Sequence, residues 1–191
     1  MNKLKALFQV VTTVMILGTI SCSSSHYLFN EENKGWQIYG DADWTFSDDG
    51  LIGQITDGLG FFMTNKRYDD FILELEFYPD STINSGVFIR CQNHEINPND
   101  CYEMNIWDLH PNQDYRTGAV VLKQKPLAIV ETIGKWNTYK IKALDKRIQV
   151  WVNNELTGDI MLEDLQDGYV ALQASGTGVV KFRNVRLNPL Q

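Results

Sequence analysis

The chain is defined first by what it lacks. It has three cysteines in 191 residues and no CxxC pair, so a thiolate metal site has no framework. It has no run of lysine and arginine, and acidic residues outnumber basic ones by 24 to 17. That balance argues against a nucleic-acid partner and against docking on anionic lipid through the protein's own surface. No P-loop, dinucleotide fingerprint or nucleophilic Ser/His/Asp order occurs. No repeat of fixed period appears, which disfavours propellers and solenoids. No segment reads as an amphipathic helix. The only long apolar run, Ala6 to Ile20, is interrupted by Gln9, Thr12, Thr13 and Thr19 and is short for a membrane span.

That run has another reading. Lys3 and Lys5 precede it and Ser21-Cys22-Ser23-Ser24-Ser25 follows, the basic start, apolar middle and small-residue junction of an export signal. Cys22 resembles the acylated cysteine of a bacterial lipobox, although Thr19 stands where leucine is usual. The expectation is a signal over 1–21, a lipid-bearing tether over 22–26 and one domain over 27–191. The protein is then an exported bacterial lipoprotein, anchored in the periplasm or at the cell surface, that meets the membrane through the lipid alone. Without Lys3 and Lys5, 15 basic residues face 24 acidic ones, a net charge of −9. Cys91 and Cys101 remain, and an oxidising compartment lets them pair. A bridge between them closes the loop Gln92–Asp100 at its base.

What is present in quantity is alternation. About eleven short segments show period-2 patterning between Gly, Asn and Asp turns, which implies an antiparallel sandwich or barrel. Asp49-Gly50 reads as a hairpin turn, and Asn153-Asn154 as a tight turn whose residues tolerate positive φ. Ala119–Leu122 reads as a strand, Met161–Leu165 as one helical turn, and Trp136 as core. Aromatic residues make up 12% of the chain, with five tryptophans, in keeping with a β-rich protein that stacks on flat ligand faces.

The chemistry concentrates between Asn84 and Gly118. In Asn84–Arg90, Val87 and Ile89 share one face, and Phe88 and Arg90 the other. In Tyr102–Trp107, Tyr102, Met104 and Ile106 oppose Glu103, Asn105 and Trp107. A face carrying Arg90, Glu103, Asn105 and Trp107 suits a polar ligand; the alternative is a structural Arg90–Glu103 pair.

The order of short motifs resembles the 3-keto-disaccharide hydrolase family, also described as a 3-keto-glucoside lyase and 3-keto-2-hydroxy-glucal hydratase domain. Leu28-Phe29-Asn30 with Gly35-Trp36 is similar to its "LFNG…GW", and Asn84–Arg90 to its "NSGIFLR". Tyr102–Ile106 is similar to "YEVQI", followed by Thr117-Gly118-Ala119. Trp136–Tyr139, Trp151–Asn154 and Phe182–Arg186 resemble "EWNTY", "xWLNG" and "FRNIRI". The resemblance spans the mature domain and implies an all-β, concanavalin A-like jelly-roll sandwich with carbohydrate on its concave sheet. The departures, Cys91 with an inserted loop holding His94, Asn105 for Gln, and Asn154 for Gly, fall at the rim.

For such a family the implied reaction is an elimination. A 3-keto sugar has an acidic hydrogen at C2, because the carbanion delocalises into the carbonyl. Its removal expels the C1 oxygen, and water added to the product completes a net hydrolysis. The chemistry needs a base, an enolate stabiliser and an acid. Glu103 and His110 are the candidates for base and acid, and Arg90 or Lys123 for the enolate. Trp107 or Trp151 could stack on the ring, while Asn105, Asp108 and Gln173 complete the substrate contacts. Glu103, Asp108 and His110 also offer a divalent-cation set without recognised ligand spacing. A non-catalytic carbohydrate-binding module is the other reading of the same face.

Overall fold

The computed structural model describes residues 26–29, 34–97 and 99–190. Residues 1–25, and with them the export signal, Cys22 and most of the tether, lie outside the described residues. Thirteen strands are present among the described residues: β1 His26–Tyr27, β2 Trp36–Gly40, β3 Asp43–Ser47, β4 Gly50–Ile55, β5 Leu59–Thr64 and β6 Phe71–Pro79. They continue as β7 Ile83–Cys91, β8 Tyr102–Ile106, β9 Asn137–Leu144, β10 Arg147–Val152, β11 Glu155–Met161, β12 Tyr169–Gly176 and β13 Gly178–Pro189. The sole helical element among the described residues is a 3-10 turn at Gln113–Tyr115.

The strands form two antiparallel sheets. One runs β11-β10-β9-β6-β13-β4-β3, with β1 added against β13; the other runs β2-β5-β12-β7-β8. Alternation decides what lies between them. Leu73, Leu75 and Phe77 of β6, Tyr139 and Ile141 of β9, and Val150 of β10 meet Val87, Ile89, Met104 and Leu172 of the other sheet in one buried cluster. Burying such a set supplies most of the drive to fold, at roughly 25 cal/mol per Å² of apolar surface. This is the expected all-β jelly-roll sandwich.

The turns follow local chemistry. Asn153 and Asn154 join β10 to β11 with φ of 51° and 69°, the left-handed region that Asn tolerates. Asp80, between β6 and β7, accepts backbone N–H groups from Thr82, Ile83 and Val179, which ties the β12–β13 turn to the β6–β7 turn. Three expectations need correction. Ala119–Leu122 is a turn with single bridges at Val120, because Val120 pairs back on Gln124 within four residues. Met161–Leu165 holds no helical turn: Met161 ends β11 and the rest is irregular. Trp136 lies on the outer face of the larger sheet, under the Arg183 guanidinium at 3.9 Å, rather than in the core.

Candidate functional site

The outer face of the five-stranded sheet is also apolar. Phe61 and Met63 of β5, Phe88 and Cys91 of β7, and Ala171 of β12 form a second buried cluster with Cys101. A strand with large apolar residues on both faces is covered on both faces. Here the cover is the loop 92–100 and the turn after Val120, and between them lies a pocket.

The floor of the pocket is polar. Glu103 sits directly across from Phe88 in the β7–β8 register. Gly86, one pleat along β7, has no side chain to block it: a Cβ there would lie 3.0 Å from Glu103 Oε1. The Glu103 carboxyl therefore lies over the glycine, in the room a side chain would take, and Gln173 of β12 pairs with Gly86 from the other side. The Gln173 Oε1 atom is buried without a hydrogen-bond partner. The Glu103 carboxyl makes no ion pair or side-chain hydrogen bond among the described residues, and burial pushes it up to about 7. A half-buried, unpaired carboxyl on a pocket floor is a group poised for proton transfer near neutrality.

Phe61 and Phe88 wall the pocket, Ile96 and Val121 line its sides, and Leu59 and Leu122 stand at its mouth. Cys91 and Cys101 are joined as a disulfide, which fixes both ends of loop 92–100. Within that loop Ile96 and Asn97 reach the pocket, and His94 stacks on Tyr39 and lies tilted against Tyr169, with ring centroids 5.1 and 4.7 Å away.

Of the other site residues expected from sequence, the structure brings Gln173 to Glu103 and places the rest elsewhere. Arg90 does not share the face of Phe88 and Glu103. The β7–β12 register shifts between Tyr169 and Ala171, and Arg90 takes φ 55°, so the bulge turns its side chain away. Arg90 is fully buried; it donates to the Leu165 carbonyl at 2.9 Å and pairs with Asp70 at 3.2 Å. The structural Arg90–Glu103 pair of the alternative reading is therefore not made.

Asn105 is buried on the right face but capped by the following loop: its amide donates to the Tyr115 carbonyl, and Gly118 N–H to its own carbonyl. Asp108 is buried too, accepting from Thr132 N–H and from the Thr132 hydroxyl at 2.8 Å; it holds two loops together. His110 accepts the Asn112 N–H at 3.0 Å and packs edge-on against Trp107, and neither ring lines the pocket. Lys123 pairs with Asp164 at 3.5 Å and lies over the Tyr102 ring. Trp151 is on the other sheet, with Lys140 5.4 Å from its ring centre. Glu103, Asp108 and His110 do not assemble a cation site, and no group of three His, Cys, Asp or Glu among the described residues does.

Sequence reading missed Leu59, Phe61, Phe88, Ile96 and Leu122. The signal for Phe61 was present: Phe61-Phe62-Met63 is apolar at successive positions, which a strand exposed on one face does not need.

Solved structures with the same fold include a candidate glycosyl hydrolase from Parabacteroides distasonis, at TM-score 0.74 and 20% identity, covering 87% of this chain and 100% of that one. The carbohydrate binding module CBM66 from Bacillus subtilis superimposes at TM-score 0.65 and 18% identity, over 81% of this chain and 95% of that one. The Bacillus licheniformis beta-glucanase does so at TM-score 0.57 and 13% identity, over 88% and 98%. A comparison with curated proteins returned no relative. Residues 25–188 match the 3-keto-alpha-glucoside-1,2-lyase-like domain, and with nearly the whole domain matched, the chain belongs to that carbohydrate-active family.

Proposed function

We propose that the pocket binds a 3-keto-glucoside and that Glu103 is the base that starts its elimination. The observation that carries this reading is the carboxyl itself: half-buried, unpaired and raised to about 7, beside a carboxamide whose oxygen also has no partner. Glu103 in its ionised form takes the proton from C2, the electron pair passes into the C3 carbonyl, and the enolate then expels the C1 oxygen, which takes a proton from water at the open mouth and leaves as the alcohol. Water added across the new C1=C2 bond gives the free keto sugar. The Gln173 carboxamide serves as a hydrogen-bond partner for the enolate oxygen or a ring hydroxyl. Glu103 is the sole carboxyl lining the pocket among the described residues, so a two-carboxylate glycosidase mechanism has no second member among them.

In an α-glucoside the C2 hydrogen and the C1 oxygen are axial on opposite faces of the ring. A base on the floor then leaves the departing group facing the mouth. Purified protein mixed with a 3-keto-α-glucoside should consume it, and Glu103→Gln should lower the rate by about two to four orders of magnitude. Undiminished turnover in a folded Glu103→Gln variant removes Glu103 from the role. The single titratable group also fits a binding module, which would hold the sugar without consuming it in either form. We further propose, from Lys3, Lys5, the apolar run and Cys22, that the domain is exported as a lipid-anchored protein.

A further inference from the structure

The pocket is polar only at its floor. Six of its ten lining residues, Leu59, Phe61, Phe88, Ile96, Val121 and Leu122, are apolar, and two of these remain well exposed: Leu59 at 39% and Leu122 at 58%. Leu122 is the more telling. It stands in the Val120–Gln124 turn with φ 61°, a left-handed conformation that disfavours a leucine and suits Asn or Gly. The chain thus holds a large apolar side chain in a strained backbone, out toward water, at the rim of the pocket that holds the half-buried, unpaired Glu103 carboxyl. Strain and exposure coinciding at an apolar residue on a pocket rim point to a ligand contact. The pocket wall itself offers a second sugar little; Lys123, Gln124 and Lys125 line a neighbouring cleft that shares Leu122. Among the described residues lining the pocket, Asn97 is the only polar side chain above the floor, and its groups are engaged with Asp100 and the Asn99 N–H. A hydroxyl-rich leaving group would lose water there and gain few partners.

We propose that the mouth of the pocket is an aglycone subsite, and that the preferred substrates are glycosides of apolar or aromatic alcohols rather than disaccharides. This rests on the sugar ring lying over Glu103 with its C1 oxygen toward the mouth, as proposed above. Leu122, Leu59 and Ile96 cover the departing alcohol and set specificity; Glu103 and Gln173 hold the keto sugar.

The test uses 3-keto derivatives of benzyl and methyl α-glucoside, whose alcohols leave with similar ease, so that a difference reports contact and not leaving-group acidity. Wild-type protein should favour the benzyl compound about tenfold or more in kcat/KM, the return expected for burying one phenyl group against this rim. Leu122→Asn removes the contact while placing a residue suited to the left-handed turn; its benzyl-to-methyl ratio should fall severalfold, with no loss of melting temperature. Affinities of the same two ligands for Glu103→Gln separate the two readings. Benzyl preference in binding without turnover in the wild type keeps the subsite and overturns the elimination. Equal rates or affinities for the two ligands, no binding of either, or an unchanged ratio in Leu122→Asn overturns the subsite.

Discussion

Two charged residues expected on one face show how much a single backbone angle decides. Glu103 keeps the position that alternation gives it, and burial alone raises its carboxyl from the ordinary 4.5 to about 7. The folded protein therefore binds a proton more tightly than the unfolded chain. The stability that this contributes is full below about pH 4.5 and is lost as pH rises through 7, a loss of up to about 3 kcal/mol. Glu103→Gln should match wild-type stability near pH 4 and exceed it near pH 8 in denaturant titrations; parallel pH profiles would contradict a raised carboxyl. If Glu103 is the base, kcat/KM should climb with pH through the same region, since only the ionised form accepts the proton. Arg90 is the opposite case. Its left-handed φ sends it under the sheet to Asp70, so it belongs to stability and not to the site. Asp70→Ala leaves that buried guanidinium without its carboxylate and should cost about 3 kcal/mol, while activity per folded molecule is retained. A Glu103-sized drop in activity instead would return Arg90 to the chemistry.

Among the elements, the loop 92–100 matters most to the site. It is tied at both ends by the Cys91–Cys101 disulfide and laid on the sheet through His94 against Tyr39 and Tyr169. That places Ile96 and Asn97 against the pocket. Replacing both cysteines with serine should cost about 2–3 kcal/mol in the chain-entropy model and weaken ligand binding as well, because the released loop no longer forms a fixed wall. Melting curves with and without reductant, read beside affinity, check this; a lower melting point with unchanged affinity would separate the loop from the site. Strands and hairpins were legible in the sequence because their signals are local. Asp49-Gly50 and Asn153-Asn154 name their own turns, and β9 shows its alternation directly in its burial. Ala119–Leu122 was misread because an apolar run of four looks the same in a strand and in a turn that lines a pocket.

At the scale of the whole molecule, the acidic chain and its amino-terminal segment make one further expectation measurable. If Cys22 carries the lipid, Cys22→Ser should move the protein from the membrane to the soluble exported fraction, and unchanged partitioning would dispose of the anchor. The fold itself was determined by the sequence. Period-2 patterning and turn residues specify strands, and strands with one apolar face close into a sandwich whatever their neighbours. The sequence likewise put Glu103 on the outward side of β8, since alternation carries through an unbroken strand. It could not place Arg90, Asp108, His110 or Trp151. A bulge shifts every later side chain in its strand, a loop carboxylate turns to whichever N–H groups lie near, and nothing along the chain says which of two sheets a tryptophan will face. Tertiary structure alone decided that Gly86 lies beside Glu103 and Gln173 beyond it. Sites are made of residues far apart in the chain, and only the registry of strands brings them together.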